Sequence, residues 1–149
     1  MDFFRLDPMD SLVFPSFSID IPAEIEDYID LLQKRYPEER EKISNFFEEF
    51  IRLYWAILKE QGNSPTLARF GRLTYKEMLD SFFDNPELKT TLAGQWGYLG
   101  SPAREVSSIG MCQMLVNYLR DGAYYPRGGT QTFANALAKA FANSGGELL

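Results

Sequence analysis

Apolar residues recur at three- and four-residue intervals along most of the chain, the spacing of one face of an α-helix. Ile25, Tyr28, Ile29 and Leu32 form the first such series. They follow Pro22, whose fixed φ suits a first helical position. Pro37 ends this segment and opens the longest one, a helix predicted from about Pro37 to Gln61 with Gly62 as its C-cap. Its stripe reads Ile43, Phe46, Phe47, Phe50, Ile51, Tyr54, Ile57 and Leu58, with Glu48, Glu49, Arg52 and Lys59 elsewhere on the wheel. Three further starts, Ser64-Pro65, Asn85-Pro86 and Ser101-Pro102, place a capping residue before a proline. Thr74-Tyr75-Lys76-Glu77 is a capping box that opens a helix through Met78, Leu79, Phe82 and Phe83. The pattern after Pro102 predicts a helix to Leu119, carrying Val106, Ile109, Leu115 and Tyr118.

The period changes at both ends. Phe3-Phe4-Arg5-Leu6, an Asp7-Pro8-Met9-Asp10 turn, and then Leu12-Val13-Phe14 and Phe17-Ser18-Ile19 read as a short strand pair, with Pro15 at an edge or bulge. Two strands are barely stable alone, so this hairpin must lean on another part of the chain. At the other end, residues 122–130 form a glycine-rich loop before a helix from Gln131 to Ser144 with Phe133, Leu137, Ala140 and Phe141 on one side. Gly145-Gly146 caps it, and Glu147-Leu148-Leu149 reads as the first residues of a strand that has no partner. The expected fold is mainly α, in three parts. Residues 1–20 are the strand pair, 21–122 a helical body, and 123–149 the loop, helix and incipient strand. The C-terminus reads as cut.

Composition narrows the chemistry. A chain of 149 residues, 45% hydrophobic and 24% charged, suits one folded domain. Twelve Phe and eight Tyr are a high share of rings, which fill cores and also line apolar channels. Fifteen Lys and Arg stand against 21 Asp and Glu, a net charge of −6 with no basic cluster, which argues against nucleic acid as a partner. There is no His and a single Cys. Ser-His and Cys-His nucleophile pairs, His-ligated metals, multi-Cys zinc sites and internal disulfides are therefore excluded within the chain. Cys112, among Ile109, Met111, Met114 and Leu115, reads as a small buried hydrophobe. No apolar run reaches the ~20 residues that span a bilayer, and Met1–Arg5 lacks a signal-peptide core. The expected location is cytoplasmic, with peripheral membrane contact still compatible.

The most specific local feature is Tyr125-Pro126-Arg127-Gly128-Gly129-Thr130. A glycine pair permits positive φ and close backbone approach, and a helix N-terminus beyond it offers free N–H groups. The segment is neither a P-loop nor a GxGxxG fingerprint, and its plainest reading is a tight turn before a helix. Glu26-Asp27, Glu38-Glu39 and Glu48-Glu49 read as solvated charge, and Trp55, Trp96, Met111 and Met114 as core. No residue is assigned a catalytic or metal-binding role.

The passage Tyr-Pro-Arg-Gly-Gly-Thr-Gln from Tyr125, the Ala-rich helix with Phe133 and Leu137, and Ser144-Gly-Gly-Glu-Leu-Leu together resemble a recurrent stretch of FAD-dependent carotenoid desaturases and isomerases, the phytoene dehydrogenase-like flavoproteins. The resemblance covers most of the chain, strongly near its end and loosely before Gly100. It implies a two-domain FAD-binding oxidoreductase, of which this chain is the substrate-side insertion, lacking the dinucleotide fingerprint. It implies that Arg127, Gly128 and Gly129 lie near the flavin and Tyr125 and Pro126 near the inner end of a channel for a carotenoid or other isoprenoid. The rest of the parent chain would be its partner, and the fragment alone would be inactive. A free-standing helical module that binds an apolar ligand or a partner helix is the alternative from a different class.

Overall fold

The computed structural model describes residues 1–59 and 64–147. The architecture is mainly α: α1 Ile25–Arg35, α2 Arg40–Lys59, α3 Pro65–Phe70, α4 Tyr75–Phe82, α5 Pro86–Ala93, α6 Ser108–Asp121 and α7 Thr130–Asn143. Short 3-10 helices at Pro37–Glu39 and Gly94–Tyr98 lead into α2 and out of α5. The expected Gly62 cap and the strand at Leu148-Leu149 lie outside the described residues.

The body is organised around α2. Ile43, Phe46, Phe47, Phe50, Leu53 and Tyr54 are buried on it, and it packs against α1, α3, α4 and α6. The Phe46 ring lies 5.0–5.4 Å from the rings of Phe47, Phe50, Phe82 and Phe83. Each fully buried ring of this size contributes about 1.5–3 kcal/mol relative to an exposed one. Leu58, at the edge of the predicted stripe, is exposed, whereas Leu53 and Ala56 are buried. Trp55 and Trp96 are not core residues; they are 37% and 46% exposed. Met111 is fully buried, as is Cys112, whose Sγ donates to the Phe50 carbonyl at 3.0 Å.

Local chemistry sets the helix boundaries. Thr74 and Glu77 form the reciprocal capping box at α4, and the Asn85 side chain accepts from the N–H groups of Glu87 and Leu88 at α5. Ser64 precedes α3 without a side-chain cap. Two predicted starts move. α1 begins at Ile25 with Glu24 as N-cap, three residues after Pro22. α6 begins at Ser108, not Pro102, with the Ser107 side chain accepting from Gly110 N–H. Residues 101–106 form a turn because their carbonyls are needed elsewhere: Ala103 and Val106 accept the N–H groups of Lys76 and Tyr75, the orphan donors of α4.

The Glu38-Glu39 pair also splits. Glu39 is buried, its Oε1 accepts from the backbone N–H groups of Asp84 and Asn85, and its Oε2 lies 3.0 Å from Lys42 Nζ. It joins the start of α2 to the α4–α5 corner and is not solvated charge.

Near the N-terminus, β2 Asp10–Val13 and β3 Ser18–Ile21 form the hairpin, in the register Leu12↔Ile19. Ile19 and Ile21 face the core while Ser18 and Asp20 face out, the alternation of a half-buried strand. The first strand, β1 Phe3–Arg5, pairs elsewhere. It runs antiparallel to β4 Tyr124–Pro126 in the register Phe4↔Tyr125. No helix among the described residues is long and apolar enough to cross a membrane.

Candidate functional site

Tyr125 to Gly129 sit where the β1–β4 ribbon hands the chain to α7. Strand geometry sends successive side chains to opposite faces. Tyr125 is accordingly exposed, its ring edge-on to Phe4 at 6.1 Å, whereas Pro126 is buried. The two proposed substrate contacts therefore do not share a surface, and Pro126 supports the ribbon from beneath.

Arg127 is tied to the N-terminus twice. Its N–H donates to the Asp2 carbonyl at 2.9 Å, and its Nε donates to Asp2 Oδ2 at 2.9 Å. Its guanidinium lies 5.6 Å from the centroid of the Phe4 ring, within cation–π range. Both side chains of the ion pair are largely exposed, so its worth is below about 1 kcal/mol and its role is to orient the guanidinium.

Gly128 and Gly129 have φ of 88° and 89°, a region that L side chains rarely adopt. A Cβ on Gly128 would lie 3.0 Å from Thr132 Cγ2, while one on Gly129 would meet nothing within 4 Å. The Thr132 hydroxyl donates to the Gly129 carbonyl at 2.5 Å and so fixes the turn to the first turn of α7. The space over Gly129 stays open, beside N–H groups of α7 that have no partner within the helix.

The surroundings are apolar. No residue of α7 is buried. Phe133, Leu137 and Phe141 are 45%, 58% and 50% exposed at i, i+4 and i+8, and Phe133 meets Phe3 edge-on at 6.4 Å. Between Tyr124 and Ser144 only Arg127 and Lys139 carry charge. The helix has a polar stripe of Gln131, Asn135, Lys139 and Asn143, and an apolar face such as that of Phe133, Leu137 and Phe141 ordinarily lies against a neighbour. By contrast, the centre of the body holds the rings of Phe46, Phe50, Tyr75 and Phe83, all essentially inaccessible.

Tyr125, Arg127, Gly128 and Gly129 lie on one corner, as their consecutive places in the chain dictate. Sequence reading missed Asp2, Phe3 and Phe4, which orient that corner from 125 positions away in the case of Asp2 and Arg127. The sequence reading pairs residues 3–6 with residues 12–19, whereas β1 pairs with β4 and the hairpin is formed by β2 and β3.

No protein-family profile matches the sequence, and no solved structure matches it. Among curated proteins, the chain is similar to all-trans-retinol 13,14-reductase of Danio rerio, at 26% identity over 145 aligned positions. The alignment takes in 82% of this chain and 23% of the relative, so the chain spans about a quarter of the length of the reductase it resembles.

Proposed function

We propose that the chain is the helical, substrate-side part of a FAD-dependent oxidoreductase acting on a carotenoid or related isoprenoid polyene. The observation that carries this reading is the similarity to a reductase of all-trans-retinol along most of the chain. The exposed apolar corner supports it, since a surface of Phe3, Phe4, Tyr125, Phe133 and Leu137 suits contact with a larger protein and a greasy ligand.

Support for a flavin at this corner comes from two glycines without Cβ, open space over Gly129, and an oriented guanidinium. In this reading Gly128 and Gly129 let the backbone approach the cofactor, and Arg127, held by Asp2, faces it. Tyr125 contacts the polyene, and Pro126 keeps the ribbon in register under it. FAD, when bound, supplies the electron transfer. The residues of this chain orient substrate and exclude water, which needs no histidine. Catalysis is absent from the isolated chain in this reading, because the dinucleotide-binding part belongs to the rest of a longer protein.

A second reading rests on α7 alone. Its exposed apolar face also suits a free-standing module that takes an apolar ligand or a partner helix. One experiment separates the two. The protein is purified from the full surrounding reading frame beside this chain, and visible absorption spectra are recorded after FAD is supplied. A flavin spectrum in the long product alone, weakened by Gly129→Val, is the expected result. A long product that carries no flavin, or the absence of any longer product, overturns the flavoprotein reading.

A further inference from the structure

The β2–β3 hairpin meets the 3-10 helix Gly94–Tyr98 at a pocket of about 370 Å³, lined by Asp10, Leu12, Gly94, Gln95, Gly97 and Tyr98. Asp10 is fixed there by three donors. Its Oδ1 accepts from the Ser11 N–H at 2.9 Å, and its Oδ2 accepts from Gln95 Nε2 at 3.3 Å and from the Tyr98 hydroxyl at 3.2 Å. Partial burial and the Asp10 charge hold the Tyr98 phenol above its ordinary range, so it stays a donor. All three donors are neutral groups: they orient the carboxylate and leave its charge in place.

No protein cation balances that charge. Among the described residues no Lys or Arg lies within ion-pair distance of Asp10. Asp20, on the paired strand, adds a second carboxylate in the same condition, accepting only from the Ser11 hydroxyl at 2.6 Å. Arg35, which lies over the Phe17 ring of the hairpin, is held by Glu87. Gln95 supplies a further acceptor. It is 4% exposed, its Nε2 is spent on Asp10, and its Oε1 accepts no hydrogen bond among the described residues. The pocket thus presents a fixed carboxylate, an unused amide oxygen and an aromatic ring, beside the apolar Leu12. An anion is repelled by this set, and a neutral apolar molecule leaves its acceptors unmet. A primary ammonium on a short hydrocarbon stem brings both the charge and the N–H donors.

We infer that this pocket binds a small primary amine, its ammonium group donating to Asp10 and to Gln95 Oε1 and its stem lying on Leu12 and the Tyr98 ring. The volume is near the lower end of small-molecule pockets, about 300 Å³, so the stem is short. The site shares no residue with the glycine-rich corner and is independent of the flavin reading.

The test is a titration of the isotope-labelled chain with butylammonium, tetramethylammonium, butyrate and 1-butanol at low salt, followed by amide NMR shifts. Butylammonium should perturb Ser11, Leu12, Gly94, Gln95 and Tyr98, with a dissociation constant of about 10 mM or tighter. Tetramethylammonium, which carries the charge without N–H donors, should bind about tenfold more weakly, and butanol and butyrate hardly at all. Asp10→Asn, which keeps the shape and removes the charge, should weaken butylammonium about tenfold, whereas Asp20→Asn should change it little. Tyr98→Phe, which keeps the ring, should retain binding. Gly97→Leu alters no charge, and a Cβ at Gly97 meets nothing within 4 Å, so its side chain should occupy the pocket and abolish the shifts while thermal unfolding shows the fold retained. Butanol or tetramethylammonium binding as tightly as butylammonium, equal losses in Asp10→Asn and Asp20→Asn, or shifts that survive Gly97→Leu would overturn the proposal.

Discussion

Two buried side chains carry testable consequences at the residue scale. Burial pushes the Cys112 thiol up to about 12, from an ordinary value of 9.0. It should therefore resist alkylation at pH 8 in the folded protein and react only when denaturant is added. Below pH 9 both folded and unfolded chains keep the thiol protonated. Above it the unfolded chain releases a proton that the folded one retains, so stability should fall as pH rises from 9 toward 12. Tyr28 and Tyr75, whose phenols are raised by burial, act in the same direction. With no histidine, denaturation midpoints measured between pH 6 and 8.5 should be nearly flat. Glu39→Ala should cost about 2 kcal/mol in urea unfolding, because it strands the N–H groups of Asp84 and Asn85 and removes a carboxylate from Lys42. Cys112 was legible in the sequence from its apolar neighbours. Glu39 was not, since an acid beside another acid on a helix looks solvated until the turn it serves arrives from 45 positions away.

At the scale of the element, side-chain caps separate starts that look alike in sequence. Thr74→Ala and Asn85→Ala should each cost about 1 kcal/mol. Ser107→Ala should cost a similar amount, while Ser101→Ala and Ser64→Ala should be nearly neutral because neither hydroxyl caps a helix. Equilibrium unfolding of the five variants checks the order. Ser101-Pro102 has the residues of a helix start, and local propensity gives no reason to reject it. The decision is tertiary: the Ala103 and Val106 carbonyls are engaged by α4. The long α2 stripe and the Thr74 box were legible because each is written in residue spacing within one helix. Trp55 and Trp96 were misread because ring type is a poor guide to which side of a helix ends up covered. The 3-10 helix Gly94–Tyr98 offered no periodic signal at all.

For the whole molecule, α7 is the part whose sequence and setting disagree most. One of its faces is of the kind that packs against a neighbour, yet no residue of it is buried. Leu137→Glu with Phe141→Glu should leave the thermal midpoint within a few degrees while reducing concentration-dependent association in analytical ultracentrifugation. The helical class could be read from periodicity, and the glycine-rich corner from its own residues. The clasp between residues 3–5 and 124–126 could not, because strand pairing is decided by the fold and not by neighbours in the chain. That clasp has a mechanical consequence. Phe3 faces Pro126 and Arg5 faces Tyr124, so the chain enters and leaves the ribbon at the same end. Tension applied through Asp2 and Arg127 would not load the ribbon's hydrogen bonds together. It would peel them one after another from the Phe3–Pro126 end, like a zipper pulled by its tab. The helical body would then swing as one piece before any of its own core gave way.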